Sequence, residues 1–178
     1  MKLSPEQSLA GVLEPVFAIR TESDLGIGDT EGVQQMIDWC HRHGLNIFQT
    51  LPINETSDDN SPYNAISSLA LEPSTITTTP KNIPDLSHAR FKEIATPDLL
   101  ATLRTGAVRY REVKALKHKL LDAAFQSFLK KHFNQGTDRA LEFRTFLLAN
   151  AEWLSDYTLF RALMMKNGGS PVWEKWPA

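Results

Sequence analysis

A polar segment at residues 54–64 carries the side chains best suited to binding a ligand. It follows a predicted strand, at the edge of an α/β fold where binding sites lie. Its hydroxyl and amide groups, with the ring of Tyr63, suit a sugar, because sugar hydroxyls need hydrogen-bond partners and the sugar C–H face stacks on a ring. The alternative is an ordinary solvated loop with Tyr63 packed against the core. Composition alone favours this alternative.

A glycine-rich turn at residues 26–32 invites comparison with dinucleotide-binding loops. Its glycines are spaced G-x-G-x-x-x-G, one residue longer than the usual fingerprint. Asp29 and Glu31 would place carboxylates where a pyrophosphate needs a helix N-terminus. No acidic residue ends the next predicted strand, where a ribose would be held. The sequence favours a tight turn whose acidic residue caps a helix.

The run Cys40-His41-Arg42-His43 contains metal-binding residue types. Successive helical side chains diverge by about 100°, so these residues cannot converge on one ion without unwinding the helix. We expect a buried thiol beside surface histidines, no metal and no cofactor. Residues 58–60 also lack the alternate spacing of a calcium loop.

Charge and hydropathy exclude several classes of protein. The 178 residues include 19 basic and 21 acidic side chains, giving a net charge of −2. A nucleic-acid-binding domain usually has a pI above about 9, so we expect no nucleic-acid partner. Residues 1–20 contain no continuous apolar run, which predicts neither a signal peptide nor a membrane span and favours a cytoplasmic protein. A closed (β/α)₈ barrel needs roughly 200–250 residues, more than this chain has.

The first half of the chain predicts a β-α-β unit with parallel strands. An apolar run at residues 16–19 predicts the first strand, and residues 45–51 predict the second. Between them, Asp29 or Thr30 begins a helix that ends before Gly44. The apolar stripe of this helix comprises Val33, Met36, Ile37 and Cys40.

The second half predicts helices. Residues 80–106 contain three prolines and predict an irregular connection with one short helix. Apolar periodicity then predicts helices around residues 113–129 and 141–148. A third helix is predicted to begin at Ser155 or Asp156 and to end at Gly168-Gly169. We interpret the basic run in and beside the first of these helices as a solvated face rather than an RNA or membrane surface. It comprises Arg109, Arg111, Lys114, Lys117, Lys119, Lys130 and Lys131.

Several segments together resemble the 4-α-glucanotransferases, also called amylomaltases or disproportionating enzymes, of glycoside hydrolase family 77. They occur in the family's order along nearly the whole chain. The matching segments are residues 15–22, the Asp24-Leu25-Gly26-Ile27-Gly28-Asp29 motif, residues 49–56, the Ser61-Pro62-Tyr63-Asn64-Ala65 motif, and residues 153–160 and 173–177. The combination of the Leu-Gly-Ile-Gly-Asp and Ser-Pro-Tyr motifs is specific to the family.

The resemblance implies retaining transfer of an α-1,4-glucan segment from a maltooligosaccharide or glucan donor to a sugar acceptor. Retention needs two carboxyl groups roughly 5–5.5 Å apart. The family's catalytic carboxylates lie on later strands, so no catalytic residue is assigned within these 178 residues. Tyr63 is the expected sugar contact, with Ser61 as a hydrogen-bonding neighbour. Asn60 stands where many members have aspartate and is the third expected substrate-binding residue.

The resemblance also implies an α/β fold with the first βα units of an incomplete (β/α)₈, or TIM, barrel. Residues 1–79 are expected to form these units with the sugar-facing loop. Residues 80–178 are expected to form a linker and a mainly helical inserted subdomain, truncated before the later barrel strands. We expect the isolated chain to be inactive. The alternative is a non-catalytic remnant or glucan-binding module ending at Ala178, and no oligomeric state is assigned.

Overall fold

The first regular structure in the described chain belongs to a short pair of parallel strands. The structure is a computed structural model and describes residues 8–177. Strand β1, Gly11–Leu13, pairs in parallel with β2, Ile47–Gln49, and Val12 lies opposite Phe48. Helix α1, Thr30–Arg42, lies between them in the sequence. The prediction of parallel strands joined by a helix is confirmed, and the fold is mixed α/β.

The predicted strand at residues 16–19 is wrong. These residues form a single 3₁₀ turn, Val16–Ala18, directly after Pro15. Ala18 N–H donates to Pro15 O at 2.9 Å, and Ile19 N–H donates to Val16 O at 3.1 Å. Proline lacks the N–H that a strand ladder needs, while a short apolar run has no period that separates a strand from a buried turn. The second strand is also shorter than the predicted 45–51.

Helix α1 begins and ends as the sequence predicts. The Asp29 carboxylate caps it by accepting the backbone N–H groups of Glu31, at 3.1 Å, and Gly32, at 3.3 Å. The helix ends at Arg42, and Gly44 follows with a φ of +73°. Glycine adopts this left-handed conformation at little cost, which accounts for the sharp stop.

Two short helices, rather than the predicted one, occupy residues 80–106. Helix α2 is His88–Ile94 and helix α3 is Pro97–Arg104. Each is capped by a hydroxyl: Ser87 accepts from Arg90 N–H, and Thr96 accepts from Leu99 N–H. Pro97 is tolerated because the N–H of a first helical residue has no intrahelical partner.

Three longer helices follow: α4, Tyr110–Lys131, α5, Asp138–Ala149, and α6, Ala151–Lys166, and a 3₁₀ turn, Trp173–Lys175, lies beyond them. The prediction that the third begins at Ser155 or Asp156 is wrong, because both lie inside α6. Asn150 marks the true start, and its side-chain oxygen accepts the Trp153 indole N–H at 3.1 Å. Within residues 8–177, no helix is both long and apolar enough to cross a membrane.

The chain divides into two compact units. The first unit comprises the chain up to Ile53 and Leu71–Ala124, and the second comprises Asn54–Ala70 and the chain from Phe125 onward. The core of the first unit is formed mainly by Leu25, Ile27, Leu86, Leu103, Val113, Leu116 and Leu120. In the second unit, Phe128 packs edge-on against Phe143 at 5.2 Å between ring centroids. The predicted domains at residues 1–79 and 80–178 stay a prediction.

Candidate functional site

The polar segment singled out in the sequence forms a closed loop of the second unit. We call residues 54–70 the 54–70 loop. At its base, Glu55 N–H donates to Ala70 O at 2.9 Å, and Ile66 N–H donates to Glu55 O at 2.8 Å. An antiparallel bridge joins Thr56 and Ala65. These bonds make the base a short two-stranded ribbon that carries the tip of the loop.

The tip is held by its own polar groups. One carboxylate oxygen of Asp59 accepts Ser61 N–H at 3.1 Å, and the other accepts the Asn64 side-chain amide at 2.8 Å. Ser61 Oγ accepts Tyr63 N–H at 3.4 Å. Asn60 has a φ of +54° and donates its side-chain amide to Asp58 O at 3.1 Å. Asparagine populates this left-handed region more readily than most residues, so the tight turn suits its sequence.

The ring of Tyr63 is exposed on this tip, with 76% of its surface accessible. The alternative in which Tyr63 packs against the core is therefore wrong. The structure brings Asn60, Ser61 and Tyr63 together on one turn. An exposed ring beside hydroxyl and amide groups can stack on an apolar face and offer hydrogen bonds at its rim. The sugar-binding roles of these three residues stay predictions.

A buried carboxylate lies at the base of the loop. Glu55 is 5% exposed, and helix α6 supplies the partners of its side chain. Tyr157 donates its hydroxyl to Glu55 Oε2, and Arg161 Nη2 lies 3.2 Å from Glu55 Oε1. The two α6 residues are four positions apart and lie on one helical face. Burial, and then the hydrogen bond and charge of Glu55, raise the pKa of Tyr157, so its hydroxyl stays protonated.

This Glu55 cluster was missed in the sequence. Glu55 and Tyr157 are separated by 102 positions, and neither belongs to a periodic pattern that would pair them. The only available signal was that both residues fall in segments carrying the family resemblance.

The first unit holds a buried cation instead. Lys117, on α4, is 1% exposed, and its Nζ donates to Ile76 O at 2.7 Å. Asp29 Oδ2 lies 3.8 Å from the same nitrogen. Burial lowers the pKa of Lys117 to about 8, against the opposing charges of Asp29, Asp24 and Glu72. The prediction of a solvated basic face is wrong at Lys117, because its ammonium points into the protein.

The glycine turn of the first unit serves packing. A Cβ on Gly28 would lie 2.0 Å from Val16 O, so only glycine fits. Before it, Asp24 accepts the Arg20 guanidinium at 2.9 and 3.0 Å and Gly26 N–H at 2.8 Å. Burial alone would raise the pKa of Asp24, but hydrogen bonds from Arg20 and from backbone N–H groups lower it overall. The predicted turn with a helix-capping acid is confirmed.

The cysteine-histidine run gives no metal geometry. Cys40 is buried, as predicted, and the ring of His43 stacks on Trp39 at 4.4 Å between centroids. Over residues 8–177, no group of three or more His, Cys, Asp or Glu side chains could hold a metal ion.

Comparison with known proteins identifies the family. The family model for 4-alpha-glucanotransferase, glycoside hydrolase family 77, matches residues 14–178. The chain belongs to this family. A member from Chlamydia caviae, described as a 4-alpha-glucanotransferase, is 34% identical over 94% of this chain and 30% of its own length. The 4-alpha-glucanotransferase DPE2 of Oryza sativa is 31% identical over 85% of this chain and 16% of its own length. The chain thus spans less than a third of these family members.

A solved structure shows the same fold. Amylomaltase from Streptococcus agalactiae, in complex with acarbose, matches 97% of this chain with a TM-score of 0.72. The match covers 32% of the amylomaltase chain, at 21% sequence identity. Nearly the whole chain therefore has the fold of one part of an amylomaltase.

Proposed function

We propose that this chain forms the N-terminal, sugar-facing part of a 4-α-glucanotransferase. The enzyme would move an α-1,4-glucan segment from a maltooligosaccharide or glucan donor to a sugar acceptor. The observation that carries the proposal is the exposed Tyr63 ring on an internally bonded polar loop, in a chain of this family. The acarbose bound by the Streptococcus agalactiae amylomaltase supports a sugar-like ligand.

In this proposal the tip of the 54–70 loop contacts the donor sugar. Tyr63 stacks its ring on the sugar C–H face, because this arrangement buries apolar surface on both partners. Ser61 and Asn60 offer hydrogen bonds to sugar hydroxyls. The Asp59 bonds support these roles because a preorganised tip loses little conformational entropy on binding.

The catalytic carboxylates are proposed to lie outside residues 1–178. Retaining transfer needs a nucleophile and an acid/base about 5–5.5 Å apart. The buried carboxylates Asp29 and Glu55 already have structural partners: Asp29 caps α1, and Glu55 binds Tyr157 and Arg161. Neither is assigned a catalytic role.

The wider architecture is proposed to be a (β/α)₈ barrel to which β1, α1 and β2 belong, with residues 80–178 as a helical inserted subdomain. Parallel pairing of β1 and β2 supports this arrangement. The exposed apolar side chains of α5 and α6, among them Leu141, Leu148, Leu159 and Met165, support further structure covering them. We propose the cytoplasm as the compartment.

The test measures glucose released from maltotriose by the complete enzyme that contains residues 1–178, as distinct from the isolated 178-residue chain. Tyr63→Ala should lower kcat/KM by about tenfold or more, because burying a large apolar side chain contributes on the order of 1.5–3 kcal/mol and about 1.4 kcal/mol corresponds to tenfold. Tyr63→Phe is the matched control and should stay within about twofold, since the stacking ring remains. The Tm should not change in either variant, because the ring is exposed.

Three outcomes decide the proposal. Unchanged kinetics in Tyr63→Ala would remove Tyr63 from the sugar site. A polypeptide that binds maltotriose without releasing glucose would indicate a glucan-binding module. Glucose release by the isolated 178-residue chain would show that its own carboxylates catalyse transfer.

A further inference from the structure

We propose that Glu55 is a positioning residue, which fixes the 54–70 loop to helix α6 and thereby holds Tyr63 in place for a sugar. The inference rests on the proposed function for the role of Tyr63. It assigns to Glu55, Tyr157 and Arg161 a task that does not require them to touch the sugar.

The first step is that Glu55 belongs to the loop through its backbone. Its N–H donates to Ala70 O at 2.9 Å, and its carbonyl accepts Ile66 N–H at 2.8 Å. Both bonds cross the ribbon at the base of the loop. Glu55 is therefore locked to the opposite arm on both sides of its Cα.

The second step is that the Glu55 side chain leaves the loop and binds α6. Its two carboxylate oxygens have separate partners, the Tyr157 hydroxyl on Oε2 and the Arg161 guanidinium on Oε1. Two partners on different oxygens restrict rotation of the carboxylate as well as its position. A carboxylate only 5% exposed is costly to leave unpaired, so this attachment is strongly favoured over an open one. Burial raises the pKa of Tyr157, which keeps it a hydrogen-bond donor.

The third step leads from Glu55 to Tyr63. The ribbon continues through the Thr56–Ala65 bridge and the Ser57 N–H to Asn64 O bond at 3.3 Å. Asn64 is the neighbour of Tyr63. The Glu55 cluster thus sets where the ribbon lies, while Asp59 sets the shape of the tip.

The first experiment measures amide hydrogen exchange of the 178-residue chain. Glu55→Ala should speed exchange of the Ile66 amide by about tenfold or more, because the ribbon loses its attachment. Tyr157→Phe keeps the ring and the Arg161 pair and should give a smaller increase, about threefold. Glu152→Gln, an exposed acid on the same helix, is the matched control and should change nothing. The Leu120 amide in the first unit should not respond to any of the three.

The second experiment measures the Kd for maltotriose by calorimetry in a double-mutant cycle. Glu55→Ala should weaken binding about tenfold when Tyr63 is present, and less than twofold in the Tyr63→Ala background. A merely structural Glu55 would cause the same loss in both backgrounds. Equal losses would therefore overturn the proposal.

The two experiments also separate this inference from the proposed function. Loop exchange that is unchanged in both Glu55→Ala and Tyr157→Phe overturns the positioning role, whatever the chain binds. Faster loop exchange without any maltotriose binding by the unaltered chain contradicts both the sugar role of Tyr63 and the positioning role, while leaving a structural attachment of the loop. If Glu55→Ala fails to fold, Tyr157→Phe decides the question in the same cycle.

Discussion

Each of the two units contains a buried charged side chain with partners on a distant segment, but the surroundings of the two side chains differ. In the first unit, Lys117 is 1% exposed and its ammonium lies between Ile76 O and Asp29, among core residues. In the second unit, Glu55 lies at the base of a loop whose tip exposes Tyr63. A buried charge therefore does not by itself mark a binding site. The first holds core segments together, whereas the second supports a surface that a ligand can reach.

Removing the first charge should have the largest effect on stability. Lys117→Met removes one of the two donors to the Ile76 carbonyl, leaving the Thr78 hydroxyl. It also removes the ion pair of Asp29. We expect the free energy of unfolding to fall by about 3 kcal/mol. Urea denaturation measures this free energy of unfolding. Lys119→Met, an exposed lysine on the same helix, should change it by less than about 0.5 kcal/mol. Equal effects of the two substitutions would show that buried Lys117 contributes no more to stability than a surface lysine.

The pH dependence of stability should report the burial of the Lys117 ammonium. Burial lowers the pKa of Lys117 from 10.5 to about 8, so between these values the unfolded chain binds more protons than the folded one. Stability due to Lys117 therefore rises with pH through this window. The free-energy difference between the unaltered chain and Lys117→Met should grow by about 2 kcal/mol from pH 7.5 to 10.

The same comparison has an internal control. The corresponding difference between the unaltered chain and Tyr157→Phe should stay flat up to about pH 9, because Tyr157 is protonated in both states below its ordinary pKa of 10.0, and it should fall above pH 10 because the folded-state pKa is raised. A flat curve for Lys117→Met would contradict the desolvation of its ammonium.

Two substitutions at Asp29 should separate helix capping from ion pairing in the first unit. Asp29→Ala removes both the cap of α1 and the partner of Lys117, and should cost about 2 kcal/mol. Asp29→Asn keeps an oxygen for the Glu31 and Gly32 N–H groups, and should cost about half as much. Chemical denaturation followed by circular dichroism measures both. Identical losses would mean that the cap contributes nothing, because Asp29→Asn differs from Asp29→Ala only in keeping the capping oxygen.

The smallest stability effect is expected at the loop tip. Asp59→Ala removes the acceptor for Ser61 and Asn64 at an exposed position, so the free energy of unfolding should change by less than about 0.5 kcal/mol. The affinity for maltotriose should nevertheless fall about threefold, because the tip must be ordered on binding. Asp58→Ala is the control, since its backbone carbonyl still accepts from Asn60. If Asp59→Ala lowered the stability but not the affinity for maltotriose, the tip of the loop would have a structural role and no role in binding.

Local signals in the sequence were sufficient for some elements of the fold. The start of α1 at Asp29 and its end before Gly44 depend on capping groups within a few residues. The prediction of a strand at residues 16–19 was wrong because the apolar run after Pro15 forms a 3₁₀ turn. The predicted start of α6 at Ser155 or Asp156 was wrong because the helix begins after Asn150, whose side chain makes no capping hydrogen bond that the sequence could signal.

The candidate site was predictable only where its residues are contiguous. Asn60, Ser61 and Tyr63 lie on one turn, so a polar segment with one aromatic residue located them together. Their proposed role came from the family resemblance. Glu55 could not be placed in a cluster because its partners lie on α6, 102 positions away for Tyr157. Burial of Lys117 likewise depends on Ile76, 41 positions earlier, which helical periodicity does not include.

The distance along the chain between Glu55 and Tyr157 has a consequence for biosynthesis. A ribosome adds about 5–20 residues per second, so 102 positions correspond to roughly 5–20 seconds of translation. During that interval the 54–70 loop has no helix to bind, although its ribbon and tip bonds can already form. The nascent chain therefore presents Tyr63 on an unattached loop, open to chaperones and proteases, until α6 emerges.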